Sequence, residues 1–158
     1  MNPSRTSITE EFLHRISHEG LLSKASARLK PLEAYEPLPK MSTWSLICEE
    51  VVDIGHYSEH YERVLAELMR RGLSAAEIEK MRVFAWRTAG WLNFDKLVWD
   101  WCGLDESVIL RAIDWQRREE KISASEAEQM ELYVAQYKTM PPPANQPALP
   151  PTPPSQSG

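Results

Sequence analysis

The residues best suited to chemistry are the four histidines, which all fall into two HxxxH pairs, His14 with His18 and His56 with His60. Side chains four positions apart stack on one helix face, so each pair can offer two imidazoles to one metal ion. Glu49 and Asp53 fall on the same stripe as His56 and His60, at i, i+4, i+7 and i+11, and add carboxylates suited to zinc, iron or manganese. Two helices bringing these six side chains together would hold a divalent ion, in a structural role before a catalytic one. The opposing reading is a solvated polar face, because Glu49 sits about 200° around the helix from the apolar Ile47. No other cofactor is expected.

Nucleophilic catalysis finds no support. Cys48 lies in LICEE, an apolar setting followed by two acids that should raise its pKa, and Cys102 suits a packed helix end. The two cysteines lack the CxxC spacing of a zinc module, and no GxGxxG, P-loop or GxSxG occurs. With no nominated mechanism, a binding role is expected in place of an enzymatic one.

Residues 92–113, LNFDKLVWDWCGLDESVILRAI, read as two helices meeting at a tight corner. Asn93 is placed to cap the first, whose stripe is Phe94, Leu97, Val98 and Trp101. Cys102 and Gly103 stop it, and Asp105 is placed to cap a second helix that buries Val108, Ile109, Ala112 and Ile113. The segment resembles a generic helix-turn-helix, with Gly-Leu-Asp where many such motifs have Gly-aliphatic-Ser. The resemblance implies that the exposed side of the second helix enters a DNA major groove. Glu106, Ser107, Leu110, Arg111 and Asp114 would then read bases, with Arg117 and Arg118 near phosphates. The charge count opposes this: residues 105–121 hold four basic against five acidic side chains, whereas phosphate contacts need local positive charge. The competing reading of the same segment is a plain helix corner in a bundle.

Six tryptophans, at 44, 86, 91, 99, 101 and 115, suit core anchors or a partner-binding patch. Trp99 lies off the core stripe of its helix and is the nominated exposed contact. DNA is thus the first candidate partner of a small regulatory protein, and a protein partner bound by an acidic adaptor or inhibitor is the alternative. A His-rich metal-binding bundle is the third reading, and a homodimer is compatible with any of them.

The elements that must position these residues are all helical. A first helix should start after Ser7, with Glu10 completing a capping box, and end at Gly20. Residues 21–30 read as a further short helix. Prolines 31, 37 and 39 make residues 31–41 an extended linker. Residues 42–71 carry Ile47, Val51, Ile54, Tyr61, Leu65 and Leu68 in one helical register, predicting a single long helix kinked at Gly55 and stopped by Gly72 after Arg70 and Arg71. Ser74 and Glu77 make a capping box for a helix through Ile78, Met81, Phe84, Ala85 and Ala89, and a last helix starts at Ser123 or Ser125 and buries Met130, Val134 and Tyr137.

The expected architecture is therefore all-α: one multi-helix bundle over residues 1–140. The 158-residue chain is 42% hydrophobic, enough for a core, and its net charge of −5 creates no field that would attract polyanions. Residues 141–158 contain eight prolines and no charge, predicting a disordered tail. No apolar run suggests a membrane span or signal peptide, so a cytoplasmic protein without a membrane partner is expected.

Overall fold

A computed structural model describes residues 25–38, 40–51, 58–96 and 104–138. The described residues are helical and include no strand. Residues 1–24, with the predicted first helix, and the proline-rich residues 141–158 lie outside them. None of the described helices is long and apolar enough to cross a membrane.

After a single 3-10 turn at Leu32–Ala34, the linker passes along a helix that follows it in sequence. Its carbonyls would be left without partners in an extended chain, and two arginines supply them. Arg70 donates to the oxygens of Leu32 and Tyr35 at 3.1 and 3.0 Å, and Arg71 to those of Leu38 and Met41 at 3.0 and 2.7 Å. Both arginines are held by the buried carboxylate of Glu67. They sit near the end of α2, Ser58–Arg70, which Gly72 terminates with a φ of +89°, a conformation open to glycine without a Cβ penalty.

Helix α1, Thr43–Cys48, is capped by Ser42 and is much shorter than its apolar register suggests. The predicted long helix over 42–71 does not form. The chain turns at Glu49 and Glu50, using i→i+3 bonds from Glu49 N–H to Leu46 O and from Val51 N–H to Cys48 O. The break is set by distant partners. Val51 and Glu50 are buried, Glu50 accepts a bond from Arg82 Nε, and the Val51 carbonyl accepts one from Asn93 Nδ2 at 3.4 Å. The expected kink at Gly55 lies outside the described residues.

Helix α3, Ala75–Ala85, opens on the Ser74–Glu77 capping box read from the sequence. It continues without interruption through a π-helical turn, Trp86–Gly90, into α4, Trp91–Phe94. Trp91 N–H accordingly reaches back to Trp86 O, five residues away. Gly90 is required here by packing, since a Cβ would stand 2.8 Å from Trp86 Cε3 and 3.0 Å from Val51 Cγ1. Asn93 therefore does not cap a new helix. It lies inside α4, buried, and spends its amide on Val51.

Helix α5, Glu106–Arg118, begins at Asp105, whose carboxylate accepts from Ser107 N–H at 2.9 Å as a cap should. Ile109, Ala112 and Ile113 are buried and Val108 is partly buried, as the periodicity predicts. Helix α6, Ala124–Lys138, starts from Ser123 through a second reciprocal capping box with Glu126, and it buries Val134 and Tyr137 with Met130 partly covered.

The helices share one core in which Trp44, Ile47, Leu68, Met81 and Ile109 are fully enclosed. Trp44 packs on Phe84, Tyr133 and Tyr137 and donates its indole N–H to Val134 O at 2.9 Å. Beside it, Arg82 Nε meets Glu50 Oε2 at 2.5 Å with each side chain only 3% exposed. Replacing Glu50 by alanine leaves that guanidinium short of its buried partner, and should cost about 3 kcal/mol of stability. Urea denaturation is expected to show a lower midpoint with an unchanged slope.

Candidate functional site

The corner residues nominated from the sequence are mostly engaged within the protein. Its turn, residues 97–103, lies outside the described residues, as does Trp99. What is described is the clamp joining its two sides. Lys96 Nζ at the end of α4 reaches Glu119 Oε1 at 2.5 Å and lies over the rings of Trp91 and Trp115 at 5.4 and 5.7 Å. Trp115 Nε1 donates to the same Glu119 oxygen at 2.8 Å, and Trp91 meets Trp115 edge to face at 6.4 Å.

On α5, Glu106 accepts a bond from Ser42 Oγ at 2.8 Å, Ser107 is tied to Asp105, and Leu110 packs against the core. Asp114 accepts from Arg117 at 2.6 Å and pairs with Arg118 at 3.0 Å. The hydrogen bond from Arg117, with the Arg118 charge nearby, holds the Asp114 carboxyl below the usual carboxylate range. Both arginines meant for phosphates are therefore matched by one carboxylate. Arg111 is exposed and makes no ion pair among the described residues.

The metal constellation is reached only in part. His14, His18, Asp53 and His56 lie outside the described residues. Glu49 and His60 do meet, with His60 Nε2 2.9 Å from Glu49 Oε2. They do so because the helix breaks: eleven residues of continuous helix would separate them by about 16 Å. Among the described residues no group of three His, Cys, Asp or Glu side chains is gathered closely enough to hold a metal ion. Cys48 is buried, and burial together with the charges of Asp105, Glu106 and Glu49 pushes its thiol up, as an inert core cysteine requires.

A concavity among the described residues was not nominated from the sequence. A groove of about 930 Å³ runs between α3 and α6. Its volume lies within the roughly 300–1,000 Å³ of small-molecule sites. One wall is the α3 face carrying Lys80, Val83 and Phe84, continued by Arg87 of the π-helical turn at i, i+3, i+4, i+7 spacing, and the other is the α6 face carrying Glu126, Gln129, Met130 and Tyr133 at the same spacing. Ile122 and Lys121 close one end. The two helices are held by intermediaries: α1 packs against both, while α5 packs against α6 and the π-helical turn.

The electrostatics of the groove are one-sided. Glu79 is bonded to Arg82, and Glu126 is committed to the Ser123 amide. Lys80 lies over the Tyr133 ring at 5.1 Å, and Lys121 over the Trp91 ring at 5.7 Å. Arg87 makes no hydrogen bond or ion pair from its side chain among the described residues. Burial pulls its pKa below the ordinary arginine value, an effect partly offset by Glu126. Its backbone is firmly placed, because Gln116, itself buried, donates to Arg87 O at 2.8 Å where the π turn loosens the α-helical pattern. The Tyr133 hydroxyl is also buried, and burial, with the Tyr137 hydroxyl beside it, raises its pKa.

Comparison with protein-family models, with curated proteins and with solved structures finds no match to this chain. The geometry alone therefore carries the functional reading. The neutralising role of Asp114 is directly testable: Asp114→Asn frees Arg117 and Arg118, and the variant should elute from heparin at higher salt than the wild-type protein. Unchanged elution would show that these arginines are already available to polyanions.

Proposed function

We propose that this protein is a non-catalytic binding module that captures a protein partner by taking the apolar face of a partner helix into the groove between α3 and α6. The observation that carries this reading is the pairing of two helical walls at i, i+3, i+4, i+7 spacing around Val83, Phe84, Ile122, Met130 and Tyr133. Two such walls present a trough whose ridges match a third amphipathic helix. It is the acidic-adaptor reading of the sequence, moved from the corner to the groove. Duplex DNA is the less favoured partner, because Arg117 and Arg118 are matched by Asp114 and the leading turn of α5 carries Asp105 and Glu106.

Val83→Asp places a charge on the apolar wall and should weaken partner capture at least about tenfold, as loss of an interface anchor does. Arg111→Glu, on the exposed side of α5, should leave capture unchanged. Cross-linked capture from the native host, followed by reconstitution with the purified partner, measures both, with thermal melts confirming that each variant folds. Capture insensitive to Val83→Asp would overturn the groove reading. Duplex binding that falls steeply with salt and is lost in Arg111→Ala with Arg117→Ala would replace it with the DNA reading.

A further inference from the structure

We infer that the groove is selective for an acidic partner: the helix it takes carries an aspartate or glutamate within its apolar face, and Arg87 receives that carboxylate. The inference rests on the groove reading above and names the chemistry of its occupant. An arginine half withdrawn from water is ordinarily matched by a carboxylate, because its five donors lose hydration that something must replace. Arg87 has no such partner among the described residues, whereas Arg70, Arg71 and Arg82 do. Arg70 and Arg71 share Glu67, and Arg82 holds both Glu50 and Glu79.

The two carboxylates on the groove wall do not fill the role. Glu79 faces Arg82, and Glu126 closes the α6 capping box and acts on Arg87 through its charge. The uncommitted charge in the groove is therefore positive, from Arg87 with Lys80 and Lys121 at its margins, on a chain whose net charge is −5. This local reversal of sign selects an acidic occupant. Arg87 is also pre-positioned, since Gln116 fixes its backbone at the π turn. A carboxylate arriving among Val83, Ile122 and Met130 would meet the guanidinium in a partly dehydrated setting, where a charge-assisted pair is strong and geometrically demanding.

The test uses the full chain and a matched pair of stapled helical peptides of about 14 residues. Both repeat Leu at i, i+3, i+7 and i+10. One carries Glu at i+4, within the apolar face, and its neutral twin carries Gln there. Fluorescence anisotropy should show the Glu peptide binding at least about tenfold more tightly than the Gln peptide, the scale of one charge-assisted hydrogen-bonded pair. In Arg87→Gln the preference should shrink to about twofold or less, and Arg87→Lys should restore part of it, as expected when a point charge replaces a bidentate fork. Circular dichroism and thermal melts check that these variants fold.

Equal binding of the two peptides would overturn the acidic selectivity while leaving the helix-binding groove intact. A preference that survives Arg87→Gln would overturn the assignment to Arg87. Binding of neither peptide would overturn the inference, and the Val83→Asp capture experiment then decides the groove reading by itself. A carbodiimide cross-link from Lys80 or Lys121 to Glu10, Glu11 or Glu19 in the peptide-free monomer would assign the groove to this chain's own N-terminal segment. Peptide binding that competes with self-association would assign it to a second copy. Either result overturns the partner assignment.

Discussion

The indole of Trp44 is the constraint on which the arrangement of helices depends. It is fully buried at the start of the short helix α1, and its ring lies within 6.0 Å of the rings of Phe84, Tyr133 and Tyr137. Its N–H is spent on the Val134 carbonyl of α6. Through one side chain, α1 thus becomes the spacer between α3 and α6. A buried tryptophan of this kind contributes on the order of 3–5 kcal/mol when compared with alanine, a large part of a small protein's net stability. The groove follows from that spacing, because two helices propped by a third leave a trough where the prop ends.

A second consequence concerns α1 itself. A helix that must seat Trp44 against α6 and also bring Glu50 to Arg82 and Val51 to Asn93 cannot continue in a straight line. The turn after Cys48 satisfies all three. It also brings Glu49 against His60, which a continuous helix would forbid. The buried Arg82–Glu50 pair is costly to desolvate and stabilises little in net terms, but leaving either charge alone would be worse. Such a pair therefore acts as a registration device, holding the turn at residues 49–51 in one position relative to α3.

The far end of the groove is set by a different device. The π turn at Trp86–Gly90 leaves the Arg87 carbonyl to Gln116, and Gly90 lets Trp86 and Val51 close over the backbone. Single π turns within α-helices occur frequently at functional sites. Arg87, an arginine without a carboxylate partner among the described residues, lies in this turn. The clamp of Lys96, Glu119, Trp91 and Trp115 lies close by and keeps α4 and α5 together. Basic residues of the corner are consumed in this clamp and in the Asp114 pairs, so the face that resembles a DNA-reading helix is largely neutralised.

The amino-acid sequence by itself determined what is decided within about one helical turn. The capping boxes Ser74–Glu77 and Ser123–Glu126, the Asp105 cap, the Gly72 stop and the buried stripes of α2, α3, α5 and α6 all rest on residues within about one helical turn of each other. Their chemistry is legible because both members of each pair stand in the same short window. The tertiary structure decided the rest. The break after Cys48 and the burial of Asn93 depend on partners 32 and 42 residues away, and Trp44 depends on one 90 residues away. Glu49 and His60 likewise meet only because the helix breaks at Glu49 and Glu50. The groove and the isolation of Arg87 were hidden most completely. A hollow between two helices is a property of how a third holds them apart, and no local spacing of residues encodes that distance.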